Sequence, residues 1–227
     1  MLMQPITQDF AQPVLDERSV AKAGVLFAHA PELVGASFSY GRDEEIYGEG
    51  EEAEFVYRVV SGAVRTCKIT QDGRRQIAEF HLAGDLFGLD VGKHHHQSAE
   101  ATADSKILLF KRRQVDGLAF ENIEAARALW LFAADHLRLA TDHMLLLGRR
   151  TASEKLAAFL FEMDARHGRT GQFELLMPRR DIADYLGLTL ETVSRGFSQF
   201  QEAKIIALSD ARHVTLLDRS KLTKICS

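Results

Sequence analysis

Three side chains near the carboxyl-terminal end, Glu191, Ser194 and Arg195, have the chemistry needed to read a nucleic-acid base edge. Arginine bonds bidentately to guanine O6 and N7, glutamate accepts from cytosine N4, and serine serves several bases. At spacings of three and four residues they share one face of a helix. A helix there presents an acid, a hydroxyl and a guanidinium to a G·C pair and its neighbours. Candidates for phosphate contact surround them: Arg179, Arg180, the Arg149 and Arg150 pair, Arg212, and the hydroxyls of Thr189 and Thr192. Such contacts set affinity and salt dependence, whereas base contacts set sequence preference.

The elements that must position these groups read as a helix-turn-helix. Ala183 is small enough for a second helix to cross close above the first, and Gly187, four residues on, can take the positive φ of a short turn. Ile182, Leu186, Leu188 and Val193 form the wedge between the helices. Thr189 is a suitable N-cap, and residues 190–202 follow without proline. Gly196 inside this second helix costs about 1 kcal/mol relative to alanine; either another part of the chain passes close to it or the second half of the helix is loose. Residues 205–208 and 214–217 flank Ser209-Asp210-Ala211-Arg212 as a strand-turn-strand, consistent with a wing. Upstream, Thr151 opens a helix running through Arg166 with Leu156, Phe159, Leu160 and Met163 on one face, and residues 173–177 read as a short strand before Pro178. The alternative is an ordinary helical hairpin with a solvated charged face.

Further upstream, Ile123, Ala126, Trp130, Ala133, Leu137, Ala140, Met144 and Leu147 alternate steps of three and four, a seam with an average period of 3.5. This predicts a long helix over 117–147 that pairs with a second copy of the chain. Leu129, Phe132, Leu139 and Leu146 form a second stripe that can pack on the chain's own amino-terminal domain, leaving Asp135, Arg138 and Asp142 for water. Burial of the whole helix within one chain is the alternative. His136 and His143 fall where they would make dimerisation pH-sensitive or simply edge the seam. Between residues 37 and 111, β-forming runs alternate with turn signals about every ten residues, which favours a β-barrel or roll. The expected architecture is α+β: an amino-terminal arm (1–20), a jelly-roll-like β-roll of sensor type (21–116), a dimerisation helix (117–147), and a winged helix-turn-helix domain (148–227) entered through a hinge at Gly148-Arg149-Arg150.

At 227 residues, 46% hydrophobic and 26% charged, the chain can bury two cores. The net charge of -4 is unevenly spread: residues 148–227 hold 13 Lys and Arg against 10 Asp and Glu, the rest 15 against 22. The modest basic excess predicts DNA affinity that leans on dimerisation and low salt. No apolar run reaches the length of a membrane span and the first five residues do not read as a signal peptide, so the expected location is the cytoplasm, with no membrane partner. Cys67 and Cys226 make neither a disulfide framework nor a CxxC motif; Cys67, in a predicted strand, reads as a core residue rather than a redox switch. His94-His95-His96 is a metal candidate, since His94 and His96 share a face of a strand, but no Cys or acidic partner has the spacing to complete a site. A solvated turn is the other reading. A metal-dependent barrel enzyme built on His94 and His96 is the distant functional alternative; the expectation is no enzyme, no metal and no cofactor.

The order of these parts resembles the cyclic-AMP receptor and FNR superfamily of bacterial transcription regulators, and most of all its FixK branch. The resemblance rests on Asp181-Ile182-Ala183-Asp184-Tyr185-Leu186-Gly187-Leu188-Thr189-Leu190-Glu191-Thr192-Val193-Ser194-Arg195, with Tyr47-Gly48-Glu49-Gly50, Val60-Ser61-Gly62-Ala63-Val64 and Gly84-Asp85-Leu86-Phe87-Gly88 matching the turns of a β-roll. It implies that Glu191, Ser194 and Arg195 read an inverted repeat of TTGAT type in double-stranded DNA, as a homodimer that activates through RNA polymerase. Gly73-Arg74-Arg75, at a turn tip, is a candidate polymerase contact or plain surface charge. Two departures matter. Where cyclic-nucleotide binders carry a Gly-Glu pair and a later Arg-Ser/Thr pair, this chain has Gly88-Leu89 and Gln97-Ser98, so a nucleotide phosphate would lack its charge partner. The amino-terminal cysteines that hold an iron–sulfur centre in oxygen-sensing relatives are missing before Cys67. The resemblance therefore implies DNA binding without an effector; gating by an unidentified small ligand in the roll is the alternative.

Overall fold

The computed structural model describes residues 33–149 and 151–226, and of Arg149 only the backbone; the expected amino-terminal arm, Arg150 and the Arg149 side chain lie outside the described residues. Eight antiparallel strands form the first domain: β1 (Ala36–Tyr40), β2 (Glu45–Tyr47), β3 (Phe55–Ser61), β4 (Ala63–Ile69), β5 (Arg75–Leu82), β6 (Leu86–Phe87), β7 (Ser98–Ala101) and β8 (Ser105–Lys111). They make two four-stranded sheets, ordered β1-β8-β3-β6 and β2-β7-β4-β5. Tyr47, Tyr57, Val59, Val64, Phe87, Ala99 and Ile107 fill the space between them. The β3–β4 hairpin turns on Gly62 at φ +84, where a Cβ would fall 2.5 Å from the Asp104 carbonyl oxygen, so only glycine fits.

In β4, Ala63, Val64, Arg65, Thr66 and Cys67 are all buried, although a strand of a two-sheet roll ordinarily buries one face. The alternation explains it. Val64 points into the roll, while Ala63 and Cys67, with Ile77, Phe80 and Leu82 of β5, join the core of the carboxyl-terminal domain. Burial pushes the Cys67 thiol up to about 11, which leaves it the inert core residue expected.

The single helix expected over 117–147 is instead two, α1 (Arg112–Glu121) and α2 (Ile123–Arg149). Asn122 is the cause. Its backbone is extended, its N–H donates back to the Leu118 carbonyl, and its side-chain oxygen accepts from the N–H groups of Glu124 and Ala125. Asparagine caps better than it propagates, so one residue ends one helix and starts the next. Over its 27 residues α2 spans about 40 Å. Ala125 and Ala128 are buried against the roll with Leu129 and Phe132 beside them, and Leu146 packs on the carboxyl-terminal core. The opposite stripe is bare: Ile123, Trp130, Leu137 and Met144 are 79, 72, 71 and 64% exposed.

The remaining elements are α3 (Ala152–Arg166), β9 (Gln172–Glu174), α4 (Arg179–Leu186), α5 (Leu190–Glu202), β10 (Ile206–Leu208), β11 (His213–Leu216) and α6 (Arg219–Cys226). Thr151 and Glu154 close a capping box at the start of α3. The strands pair in the order β10-β11-β9. The terminal helix α6, absent from the sequence reading, is short and buries only Leu222, too little for a periodic signal. Among the described residues no helix is long and apolar enough to cross a membrane.

Candidate nucleic-acid interface

The helix-turn-helix forms as the sequence dictates. Helix α4 ends on Gly187 in the left-handed region at φ 61, and α5 begins after Thr189, whose hydroxyl accepts from the Thr192 N–H at 3.2 Å. Ile182, Ala183, Leu186 and Val193 are buried between the two helices, with Leu188 half-buried at their edge. Phe197 and Phe200 carry the inner face of α5 into the core. Its outer face, one and two turns from the cap, exposes Glu191, Ser194 and Arg195. The three base-reading candidates are thus brought onto one solvent-facing surface. The backbone N–H of Glu191 and the Thr189 hydroxyl hold the Glu191 carboxyl below its usual range, so it stands ionised beside Arg195.

Gly196 is explained by a close approach rather than looseness. It is buried, and a Cβ there would lie 2.7 Å from Cδ2 of Leu156 on α3. The recognition helix therefore rides directly on α3, and its angle is set by that contact.

The phosphate candidates divide. Arg180 and Arg212 are exposed. Thr189 and Thr192 are tied to each other through the cap, oxygen to oxygen at 3.0 Å. Arg212 sits on the turn between β10 and β11, where Asp210 accepts from the N–H groups of both Arg212 and His213 at 2.8 Å; these bonds bring the Asp210 carboxyl down to about 2. Arg179 is placed differently from a solvated phosphate ligand. Its guanidinium lies 3.1 Å above the centre of the Phe197 ring, one of its terminal nitrogens is buried, and burial lowers it to about 10. It braces the recognition helix from beneath.

Other expected positions also moved. His136 faces inward, 3.4 Å from the Glu79 carboxylate of β5 and against Phe132; His143 stacks on Tyr185 of α4 at 4.0 Å. Neither edges the exposed seam. Of the seam itself, Leu147 is half-buried near Gly187, and Ala126 is half-buried as well, while Ala133 and Ala140 are exposed with the larger side chains. His95 is not on a solvated turn. It is buried, stacked on Tyr47 with centroids 3.6 Å apart, and paired with Asp90 at 2.7 Å, whereas His94 and His96 are outside the roll. Among the described residues no group of three or more His, Cys, Asp or Glu is arranged to hold a metal ion. Arg75, a candidate polymerase contact, turns back onto α4, and Arg74 pairs with Asp72.

Aromatic rings fill much of the roll interior. Tyr47, Tyr57, Phe87 and His95 stack through it, and at Gly88 (φ +78) a Cβ would lie 2.6 Å from the Tyr57 ring. At the positions of the missing charge partners stand Leu89, packed beside the α1 core, and Gln97, half-buried next to Ser98, whose hydroxyl accepts from the Glu49 N–H.

A β-roll, a long helix and an exposed recognition helix define a DNA-binding transcription regulator on the plan of the cyclic-AMP receptor. Residues 37–122 match the cyclic nucleotide-binding domain and residues 154–225 the Crp-like helix-turn-helix domain. The chain is 41% identical over 224 residues to the nitrogen fixation regulation protein FixK of Azorhizobium caulinodans, spanning 96% of this chain and 88% of that one. To FixK of Rhizobium meliloti it is 40% identical, over 87% and 89%. The structure of FixK2 from Bradyrhizobium japonicum superimposes with a TM-score of 0.83 at 52% identity, covering 86% of this chain and 98% of that one. The chain belongs to the FixK-like branch of the CRP/FNR family of transcription regulators.

Proposed function

We propose that the protein is a homodimeric activator that binds a TTGAT-type inverted repeat without a small-molecule effector and acts through RNA polymerase. The observation that carries the reading is the outer face of α5, where Glu191, Ser194 and Arg195 are all exposed to solvent on one surface. On a dimer, two such faces enter successive major grooves with half-site centres about 34 Å apart. Support for the dimer comes from the bare stripe of Ile123, Trp130, Leu137 and Met144, a heptad-like row too apolar to face water along a whole helix. The aromatic filling of the roll and the lack of an Arg and Glu for a phosphate support effector independence. Relatives bearing the FixK name, and one named a probable transcriptional activator at 36% identity, support the activator role.

Replacing Arg195 with alanine tests it. Loss of one bidentate base contact costs about 1–3 kcal/mol and relaxes preference at one base pair of each half-site. Unchanged affinity and unchanged sequence preference in Arg195→Ala would remove the assignment.

A further inference from the structure

The two domains meet through a paired set of charges. Arg65, on the outer face of β4, donates from Nη1 to Oδ2 of Asp181 at 2.5 Å, from Nε and Nη2 to Oε2 of Glu100 at 2.8 and 2.5 Å, and from Nη2 to Asp43 at 3.0 Å. Arg75, at the start of β5, donates to the other oxygen of Asp181 at 2.5 Å and to Oδ2 of Asp184 at 2.9 and 3.1 Å. Asp181 and Asp184 belong to α4, the first helix of the helix-turn-helix. The Arg65 and Asp181 side chains are 5 and 2% exposed, so salt screens this pair much less than a surface pair. Around this centre Phe80, Cys67 and Ile77 pack into the carboxyl-terminal core, His143 stacks on Tyr185, and Arg166 of α3 donates to the Phe80 carbonyl at 2.6 Å and pairs with Asp85.

This geometry has a consequence for DNA binding. A dimer reads two half-sites only if each recognition helix holds a fixed pose relative to α2, and α2 itself is anchored on the roll. In this chain the pose is set by side chains already in place. The junction also neutralises two carboxylates on the helix that crosses nearest the phosphate backbone in such motifs. We propose that Arg65 and Arg75, acting through Asp181 and Asp184, are positioning residues for DNA binding: an ionic junction that holds the helix-turn-helix on the roll in its DNA-competent pose with no effector bound. This inference rests on the effector-free reading above.

The outer pair is the one to perturb. Arg75 and Asp184 side chains are each 23% exposed, so reversal there is tolerated better than at Arg65 or Asp181. Full-length wild type, Arg75→Asp, Asp184→Arg, Asp184→Asn and the Arg75→Asp/Asp184→Arg double variant are compared. Their affinity for a duplex bearing a TTGAT inverted repeat is measured by fluorescence anisotropy, their free domain arrangement by small-angle X-ray scattering, and their folding by circular dichroism. If the competent pose falls to about a third in each subunit, affinity of the dimer falls about tenfold, since the fraction enters once per subunit. We expect that loss in each single variant, with a larger radius of gyration, and partial recovery of both in the double variant, where the reversed pair re-forms while position 75 still faces the Asp181 carboxylate. Asp184→Arg is the sharpest case, because its added positive charge alone would strengthen phosphate binding. Folded single variants that bind as tightly as wild type or tighter, or a folded double variant that stays as weak as the singles, overturn the proposal. A wild type that binds scrambled duplex equally well defeats the functional reading instead; scattering, which needs no DNA, then decides the junction by whether the single variants expand and the double variant recovers.

Discussion

Gly196→Ala gives a prediction whose sign depends on a single neighbour. Alanine in the interior of α5 gains about 1 kcal/mol of helix propensity over glycine. Against it, the new methyl would sit 2.7 Å from Leu156 Cδ2, so this buried side chain, 1% exposed, must leave its packed rotamer and turn toward the small cleft it shares with Ser153 and Gln199. Overpacking of this kind costs about 1–3 kcal/mol. The net expectation is a loss of about 0–2 kcal/mol, seen as a lower unfolding midpoint in urea, with weaker DNA binding because α5 is tilted off α3. Leu156→Ala removes the obstructing atoms at its own cost of about 2–5 kcal/mol. In that background Gly196→Ala should stabilise by about 1 kcal/mol, so the same substitution changes sign. A double-mutant cycle measured by urea denaturation isolates the coupling. Equal effects in both backgrounds, or a stabilised single variant, would refute the idea that glycine is there to admit Leu156.

Leu137→Asp should convert the dimer to monomer in sedimentation velocity and abolish tight operator binding, because it places a charge in the middle of the bare stripe; a monomer that retains tight binding would remove the dimer mechanism. His136 is subject to burial, which lowers its pKa, but the Glu79 carboxylate outweighs it and holds the imidazole above 6.5 in the folded protein. Its contribution is therefore complete below pH 6.5 and is lost as pH rises through the raised folded value. The stability difference between wild type and His136→Gln should be about 1 kcal/mol or less for this partly exposed pair, largest near pH 6 and shrinking above it, whereas a difference that grows with pH would contradict the pairing. Arg179→Met should lower thermal stability while leaving the slope of log affinity against log salt unchanged, because the guanidinium braces Phe197; a slope reduced by about 1 would make it a phosphate ligand. With a thiol reagent at neutral pH, Cys226 should react first and Cys67 only on unfolding, a contrast that vanishes if the roll opens readily.

Local physics carried most of the fold into the sequence. The small-residue and glycine spacing at Ala183 and Gly187, the cap at Thr189, and the shift from alternating β-formers to a 3.5-residue period each follow from near neighbours along the chain. The break at Asn122 was in principle visible as a residue that caps better than it propagates, but the apolar period runs straight through it. What the sequence did not reveal depends on distant partners. Arg65 and Arg75 look like surface charge until Asp181 and Asp184 are placed opposite them across more than a hundred residues. Arg179 looks like its neighbour Arg180 until Phe197 lies beneath it, and His95 looks like the middle of a solvated run until Tyr47 and Asp90 enclose it. The site face itself was legible because helical periodicity alone puts Glu191, Ser194 and Arg195 together.

The most direct measurement is equilibrium titration of the purified, effector-free protein with two duplexes of equal length, one a TTGAT palindrome and one with the same bases shuffled, over a range of salt. The account predicts tight, two-to-one binding to the palindrome, a large and persistent preference over the shuffled duplex, and loss of that preference in Arg195→Ala. Equal affinity for both duplexes at every salt concentration would contradict it.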